Sequence, residues 1–225
     1  MVLKLYGTAG ANGTTRIVAL TLAEKQIPFE MVPISLAGEN KTPEYLAIHP
    51  FGQVPAIDDD GFILYESRAI CRYLAEKYQD QGTKLIPTEL KAKARFEQAA
   101  SLEFANFNPY AWTIYFEGLN KARRGVAKDE AAYDNAVAQL SNTLDVYEVI
   151  LGKQKFLAGD EFTLADLFHI GFGVFLAPAG CDLMTTKGPN ITRWWNEINA
   201  RPSNVMLKGG ATLTSNMFTP EALHA

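Results

Sequence analysis

Two adjacent residues, Glu66 and Ser67, have the side chains needed to hold an amino-acid head group. They stand between a strand-like apolar segment and a helix-like one. Backbone N–H groups at the start of a helix, together with a hydroxyl, bind a carboxylate well. The Glu66 carboxylate can accept a hydrogen bond from an ammonium group. The pair therefore suits an α-amino acid, although a simple role for Ser67 as the helix N-cap explains it equally well.

The segment HPFGQVPA (residues 49–56) provides a backbone edge that can pair with an extended peptide. Pro55 at the start of a strand cannot donate to a β-ladder, so it indicates either an edge strand or a cis peptide bond. A cis bond there can leave the N–H and C=O of Val54 facing outward, where a peptide can pair by strand addition. The alternative is a tight turn that only leads into a hairpin.

Lys41, next to Asn40, supplies a cation in a separate polar loop. A lone lysine in such a loop is usually just solvated. Combined with the peptide-pairing edge and the head-group site, however, it completes a set of groups that suits a small peptide with a free carboxylate at each end.

The composition excludes several classes of function. The chain has 225 residues, 48% of them apolar and 20% charged, which is ordinary for a globular protein of one or two domains. A net charge of −4 argues against a broad nucleic-acid interface. Cys71 and Cys181 form no CxxC, which suits a reducing compartment. The start of the chain lacks a signal-peptide pattern and the apolar stretch at 169–180 is too short for a membrane span. We expect a cytoplasmic protein that acts on neither membranes nor nucleic acid.

The two halves of the chain differ in their patterns. Residues 1–78 read in the order β-α-β-(α)-β-β-α, which predicts a small α/β domain. Residues 79–88 are polar and contain Gly and Pro, as in a linker. From residue 89 to 225 the pattern is helical, with one long helix expected over 89–119 and an irregular tail from Ser203. Segregated patterns of this kind predict two domains, α/β followed by all-α.

The motifs LYG…R, NKTPEYL, HPFGQVPAI, ESRAICRYLA and FLAGDEFTLADL, in this order, resemble those of cytosolic glutathione transferases. The resemblance extends to about residue 202, and PFGQVPA, ESRAI and NK together are most similar to the phi class. It implies a thioredoxin-like N-terminal domain, an all-helical C-terminal domain and usually a homodimer, with Arg68 at or near its interface. It also implies conjugation of glutathione to hydrophobic electrophiles, with reduction of organic peroxides as a further activity, and no metal.

The resemblance also assigns residues to the three parts of glutathione. It assigns the γ-glutamyl end to Glu66 and Ser67. It assigns the peptide backbone to Gln53 and Val54 with Pro55, and the glycyl carboxylate to Asn40 and Lys41. The sequence TLAD (residues 163–166) resembles the structural capping box of the helical domain, in which a Thr hydroxyl and an Asp carboxylate bind first-turn N–H groups.

The loop YGTAGANGTTRI (residues 6–17) must stabilise the glutathione thiolate, because the thiolate is the nucleophile. A free thiol has a pKa of about 8.5, and lowering it to about 6.5 requires about 2.7 kcal/mol. One hydrogen bond to a charged group supplies about 1.5–3 kcal/mol. A single donor at a helix N-terminus is therefore sufficient. The phi-class pattern has a serine here, whereas this loop has none.

Two alignments of the loop place different residues at the serine position. Counting forward from Tyr6 gives Ala11, which has no side-chain donor. Counting back from the helix gives Asn12, whose amide has two donors and can replace a hydroxyl. We prefer Asn12 because the first helix then needs no gap, with Thr14 and Thr15 as further candidates. A helix cap is the alternative role for each of these residues.

The second substrate is expected to be apolar and electrophilic. Aromatic and aliphatic residues recur at i, i+3, i+4 and i+7 on the first long helix, and either they line its site or they belong to the interdomain core: Trp112, Tyr115, Phe116 and Leu119. Leu36 is a further candidate. Since the serine is missing, the alternative function is a non-catalytic, ligandin-type protein that binds glutathione and apolar ligands.

Overall fold

The computed structural model describes residues 2–208 and 217–218. A mixed β-sheet of five strands is formed by these residues. The strand order is β4-β3-β1-β2-β5. Strand β1 runs parallel to β2 and antiparallel to β3. The strands are β1 (Leu3–Gly7), β2 (Phe29–Pro33), β3 (Ala56–Asp59), β4 (Phe62–Tyr65) and β5 (Met217–Phe218). The predicted β-α-β opening and the hairpin are therefore present.

Among the described residues, three helices alternate with strands β1 to β4 along the chain, and the other helices follow them in sequence. In chain order they are α1 (Thr14–Glu24), α2 (Pro43–Leu46), α3 (Ser67–Lys77), α4 (Leu90–Leu102), α5 (Asn108–Tyr115), α6 (Lys121–Arg123), α7 (Glu130–Leu151), α8 (Leu164–Gly173), α9 (Leu183–Thr186), α10 (Pro189–Asn199) and α11 (Pro202–Lys208). A 3₁₀ turn covers Glu39–Lys41, and π-helical turns cover Glu103–Phe107 and Phe116–Asn120.

The chain divides into two units. The first contains the residues up to Ile86 together with those from Ala200 onward, and the second is Pro87–Asn199. In the first unit, α1 is buried along almost its whole length and packs on α3. In the second unit, α10 buries residues at helical spacing, which is the pattern of a helix with one core-facing stripe: Ile191, Trp194, Trp195 and Ile198.

The single helix expected over 89–119 is interrupted by the two π-helical turns. Pro109 explains the first of them, because it has no N–H for the helical ladder and its ring displaces the preceding turn. A π-turn adds one residue to the helical repeat. Leu119 lies inside the second π-turn, so it does not continue the regular face that begins at Trp112.

Residues 203–208 of the tail are helical rather than irregular, which corrects the expectation for them, while residues 209–216 and 219–225 lie outside the described residues. Residues 202–208 form α11, and this helix packs on α1. The Arg16 guanidinium, 5% exposed, donates to Oδ1 of the buried Asn204 at 2.7 Å. A helix of seven residues is too short to show a clear period in the sequence, and contacts with α1 stabilise it.

Residues of the expected linker bind the end of α1. Nε2 of Gln81 donates to the carbonyls of Lys25 and Gln26 at 2.8 Å each. The Lys25 ammonium donates in return to the carbonyl of Thr83 at 3.0 Å. Gly82 has a positive φ of 59°, and a Cβ there would lie 2.3 Å from a backbone oxygen of α1. Only glycine fits this close approach.

Candidate functional site

The junction between β4 and α3 places Glu66 and Ser67 at a helix N-terminus. The predicted N-cap role of Ser67 is wrong, since Glu66 is the N-cap and Ser67 is the first helical residue. Glu66 has a φ of +72°, and its carboxylate makes no capping bond to the helix. A non-glycine residue in such a conformation costs about 1–3 kcal/mol, and strain of this kind clusters at ligand sites. The exposed carboxylate is thus held at the N-terminus of α3.

The Val54–Pro55 peptide bond is cis, which settles the alternative that Pro55 left open. Strand β3, which follows it, lies between β4 and β1 and is not an edge. The Val54 carbonyl accepts a hydrogen bond from the Thr14 hydroxyl at 3.2 Å. The first residue of α1 is therefore tied to the segment expected to pair with a peptide.

Asn40 and Lys41 lie against the same segment. Nδ2 of Asn40 donates to the Gly52 carbonyl at 2.7 Å, and the Lys41 ammonium donates to the Phe51 carbonyl at 2.8 Å. Gly52 has a φ of +59°, and a Cβ there would lie 2.4 Å from the Asn40 carbonyl, so glycine is required. Oδ1 of Asn40 is buried and has no hydrogen-bond partner among the described residues. Asn40 and Lys41 are thus brought next to Gln53.

The opening loop presents Asn12 to solvent at the start of α1. Ala11, the alternative residue, is 1% exposed, whereas Asn12 is exposed. The N-cap of α1 is Gly13, and no side chain caps the helix, so the alternative of Asn12 as a cap is wrong. The Asn12 N–H donates to the Thr8 hydroxyl at 3.0 Å. Within residues 2–208, no hydrogen-bond partner is found for the Asn12 carboxamide.

The two threonines after Asn12 have other partners. Thr15 is fully buried, and its hydroxyl accepts from the Thr8 N–H at 3.4 Å. Its methyl group lies 2.3 Å from where a Cβ of Gly7 would be, so Thr15 faces β1 rather than solvent. The Thr14 hydroxyl already donates to Val54. Of the three candidate donors, Asn12 is the exposed one, and its carboxamide has no partner in the part of the chain that the structure describes.

This arrangement agrees with comparisons to known proteins. Residues 14–77 match the glutathione S-transferase N-terminal domain, and residues 104–202 match the C-terminal domain. Glutathione S-transferase hmp2 from Hypomyces subiculosus is 45% identical over 206 residues, which cover 89% of this chain and 95% of that protein. Glutathione transferase F2 from Populus trichocarpa has a crystal structure with a TM-score of 0.88 and 40% identity, covering 92% and 97%. The chain belongs to the glutathione S-transferase family.

Family membership confirms the predicted fold class, in which a thioredoxin-like domain precedes an all-helical domain. The prediction of a cytosolic glutathione transferase most similar to the phi class is confirmed as well. The capping box predicted at Thr163 and Asp166 is present, with both reciprocal hydrogen bonds formed. No helix in the described part of this transferase is both long and apolar enough to cross a membrane.

The aromatic residues expected to bind the second substrate do not form one continuous face in the helical unit. Trp112, 44% exposed, stacks on Phe116 with centroids 4.9 Å apart and planes 10° from parallel. Tyr115 turns toward Phe172 and Phe175, at centroid distances of 5.5 and 5.1 Å. Leu119 lies in the π-turn. Leu36 belongs to the first unit and is 58% exposed.

Sequence reasoning missed two residues that contact the segment expected to pair with a peptide. The Tyr45 hydroxyl donates to the Gln53 carbonyl at 2.8 Å. Burial, with smaller effects of Tyr6 and Glu39, raises the pKa of Tyr45 to about 12, so this phenol stays a donor at neutral pH. His49, 2% exposed, packs beneath the same segment. No sequence signal marks Tyr45, which lies in a short helix. His49 belongs to the segment HPFGQVPA, which was interpreted from its prolines and not from its histidine.

Proposed function

We propose that this protein binds glutathione, stabilises its thiolate through Asn12 and transfers it to apolar electrophiles. The observation that carries this proposal is the exposed Asn12 carboxamide at the start of α1, with no protein partner among the described residues. Solved structures of similar proteins support the reaction class. Glutathione S-transferase I, 33% identical with a TM-score of 0.86, was crystallised with lactoylglutathione. Glutathione S-transferase I from maize, 33% identical with a TM-score of 0.83, was crystallised with an atrazine glutathione conjugate.

Glutathione binding in this proposal uses three groups of residues within the first unit. The γ-glutamyl carboxylate accepts hydrogen bonds from the N–H groups in the first turn of α3 and from the Ser67 hydroxyl. The ammonium group of the γ-glutamyl residue donates to the Glu66 carboxylate. The cysteinyl backbone pairs with Val54, beside Gln53 and the cis Pro55. The glycyl carboxylate lies near Lys41 and Asn40, whose contacts with residues 51 and 52 hold them beside this segment.

Thiolate stabilisation combines a side-chain donor with the N-terminus of α1. A carboxamide donor to a thiolate contributes about 1.5–3 kcal/mol as a hydrogen bond to a charged group. The partial positive charge at a helix N-terminus adds about 0.3–1 kcal/mol. Together these lower the pKa of the bound thiol by roughly the amount that makes it ionised at neutral pH. The stacked pair of the exposed Trp112 and the half-buried Phe116 supplies apolar surface for the electrophile.

A pH titration of thiolate absorbance for protein-bound glutathione tests the proposal directly. The wild type should show a thiol pKa about two units below that of free glutathione, because the carboxamide hydrogen bond and the helix N-terminus both stabilise the thiolate. Asn12→Ala should lose most of this shift. Asn12→Asp, nearly equal in size but anionic, should raise the thiol pKa above that in Asn12→Ala. Thr14→Val is the matched control and should keep the wild-type pKa.

Other outcomes separate the alternatives. A shift that survives in Asn12→Ala and disappears in Thr14→Val would assign the donor to Thr14. A wild type that binds glutathione in calorimetry without any change in thiol pKa would instead be a non-catalytic binding protein of the ligandin type, and the transferase proposal would be abandoned.

We also propose a homodimer in the cytoplasm, as in the family this chain belongs to. Large apolar side chains left exposed on the single chain support self-association. Phe51 is 66% exposed, Phe62 48% and Leu90 80%. Sedimentation should give a species of about twice the 24.8 kDa chain mass, and Phe51→Ser should shift it toward the monomer. A wild type that sediments at the mass of one chain at micromolar concentration would contradict the proposal.

A further inference from the structure

We infer that His49 is a positioning residue for glutathione, whose neutral buried ring holds residues 51–55 against residues 65–67, and whose protonation weakens glutathione binding. The inference rests on the proposed function, because both segments are assigned there to the glutathione site. It concerns a side chain that touches neither the thiol nor the electrophile in that assignment and that acts through its neighbours.

The backbone of His49 closes the turn that leads into the site. Its N–H donates to the Tyr45 carbonyl at 2.8 Å, at the end of α2. Its carbonyl accepts from the Gly52 N–H at 2.7 Å. The side chain is 2% exposed. Both the backbone and the ring of this residue are therefore fixed by their surroundings.

The imidazole ring contacts an aromatic ring on each side of the glutathione site. Its centroid is 4.7 Å from that of Tyr65, with planes 32° apart. It is 6.3 Å from that of Phe51, in an edge arrangement at 80°. Phe51 begins the segment that continues to Gln53 and Val54, and Tyr65 immediately precedes Glu66 and Ser67. One ring thus connects the two backbone segments that hold the peptide and the head group.

The surroundings of His49 favour its neutral form. Burial lowers the pKa of His49 below its usual value, the Glu66 carboxylate and the backbone of His49 raise it, and the Lys41 ammonium lowers it, with a net decrease. Nδ1 is buried without a hydrogen-bond partner in the described part of the chain.

Protonation of His49 has a direct consequence for the ligand. The Glu66 carboxylate attracts the imidazolium, as its effect on the ring shows. The ammonium of glutathione is proposed to use that same carboxylate, so the two cations compete for it. The cation also repels Lys41, which the proposal places at the glycyl carboxylate. We therefore expect glutathione to bind less tightly as the pH falls from neutral toward 5.5.

Calorimetric titration of S-methylglutathione, whose capped sulfur cannot ionise, between pH 7.5 and 5.5 tests the inference with wild type, His49→Phe and His49→Ala. This range lies above the ordinary titration range of carboxyl groups. The wild-type Kd should rise about two- to fivefold as the pH falls, because the lowered pKa of His49 leaves part of the ring neutral at pH 5.5. His49→Phe keeps an aromatic ring and cannot be protonated, so its Kd should change less than about twofold. In His49→Ala, the Kd and the KM for glutathione should rise at every pH, with kcat at saturation nearly unchanged.

The outcomes distinguish this inference from the function on which it rests. A wild type with no measurable glutathione binding at pH 7.5 would remove the proposed function itself. A wild type that binds with a constant Kd, or a His49→Phe variant that follows the wild-type pH dependence, would overturn only the role of His49. Circular dichroism checks folding of each variant, and His49→Gln, uncharged and polar, replaces His49→Phe if the latter does not fold.

Discussion

Arg201→Ala is expected to lower the free energy of unfolding by about 3–5 kcal/mol, because it leaves a buried carboxylate without its counter-ion. Nε and Nη2 of Arg201 bind the two oxygens of Glu24 at 2.7 Å each. Glu24 is 8% exposed and also accepts from the hydroxyls of Ser203 and Thr83. This network ties the end of α1 to the chain on both sides of the helical unit. Urea denaturation followed by circular dichroism measures the loss.

The pH dependence of stability provides a second measure of the same network. Burial raises the pKa of Glu24, but the hydrogen bonds and charge of Arg201 and the hydroxyls lower it more, and the net shift is downward. The stability from this group is therefore present above the unfolded-state pKa of about 4.3 and is lost as the pH falls through the lower folded-state pKa. Wild type should lose stability over this acidic window, and Glu24→Gln should lose less there.

Arg95→Ala is the matched control for Arg201→Ala. Arg95 is exposed and forms no ion pair within the described residues, so its removal should change the free energy of unfolding by less than about 0.5 kcal/mol. If Arg201→Ala unfolded at the same urea concentration as Arg95→Ala, the Glu24 network would contribute nothing to stability.

Asp166→Ala is expected to destabilise the helical unit by about 4 kcal/mol, because each buried donor left without a partner costs about 1–3 kcal/mol. One oxygen of Asp166 accepts from the N–H of Leu157 at 3.0 Å and from Nε1 of Trp194 at 2.9 Å. The other accepts from the N–H and hydroxyl of Thr163 at 3.0 and 3.1 Å. Asp166 and Trp194 are fully buried, so water cannot replace the lost carboxylate.

Tryptophan fluorescence during urea denaturation measures this effect, since Trp194 is itself a partner of Asp166. Asp160→Ala is the matched control, because Asp160 lies exposed in the preceding loop and accepts one longer bond, at 3.3 Å from the Lys155 N–H. It should cost less than about 1 kcal/mol. Equal losses in the two variants would show that the buried donors of the capping box find other partners.

The sequence by itself determined the family, the order of strands and helices up to residue 78, and the capping box at residues 163–166. These features depend on short patterns, such as alternating apolar residues, a helix-start signal at Thr42, and a Thr and an Asp three residues apart. Such patterns act over one or two turns of chain, so they can be read without knowing the fold. The residues proposed to bind glutathione could be named for a similar reason, since each of the motifs that contain them is short.

Only the tertiary structure decided which residue of the opening loop faces solvent. Asn12 and Thr15 are three positions apart and chemically similar as donors, but the positive φ of Gly13 and the packing of Thr15 against β1 separate them. Long-range contacts also fixed α11, through Asn204 and Arg201, and placed His49 between two aromatic rings. These outcomes depend on partners up to 188 residues away, and no local pattern encodes such partners.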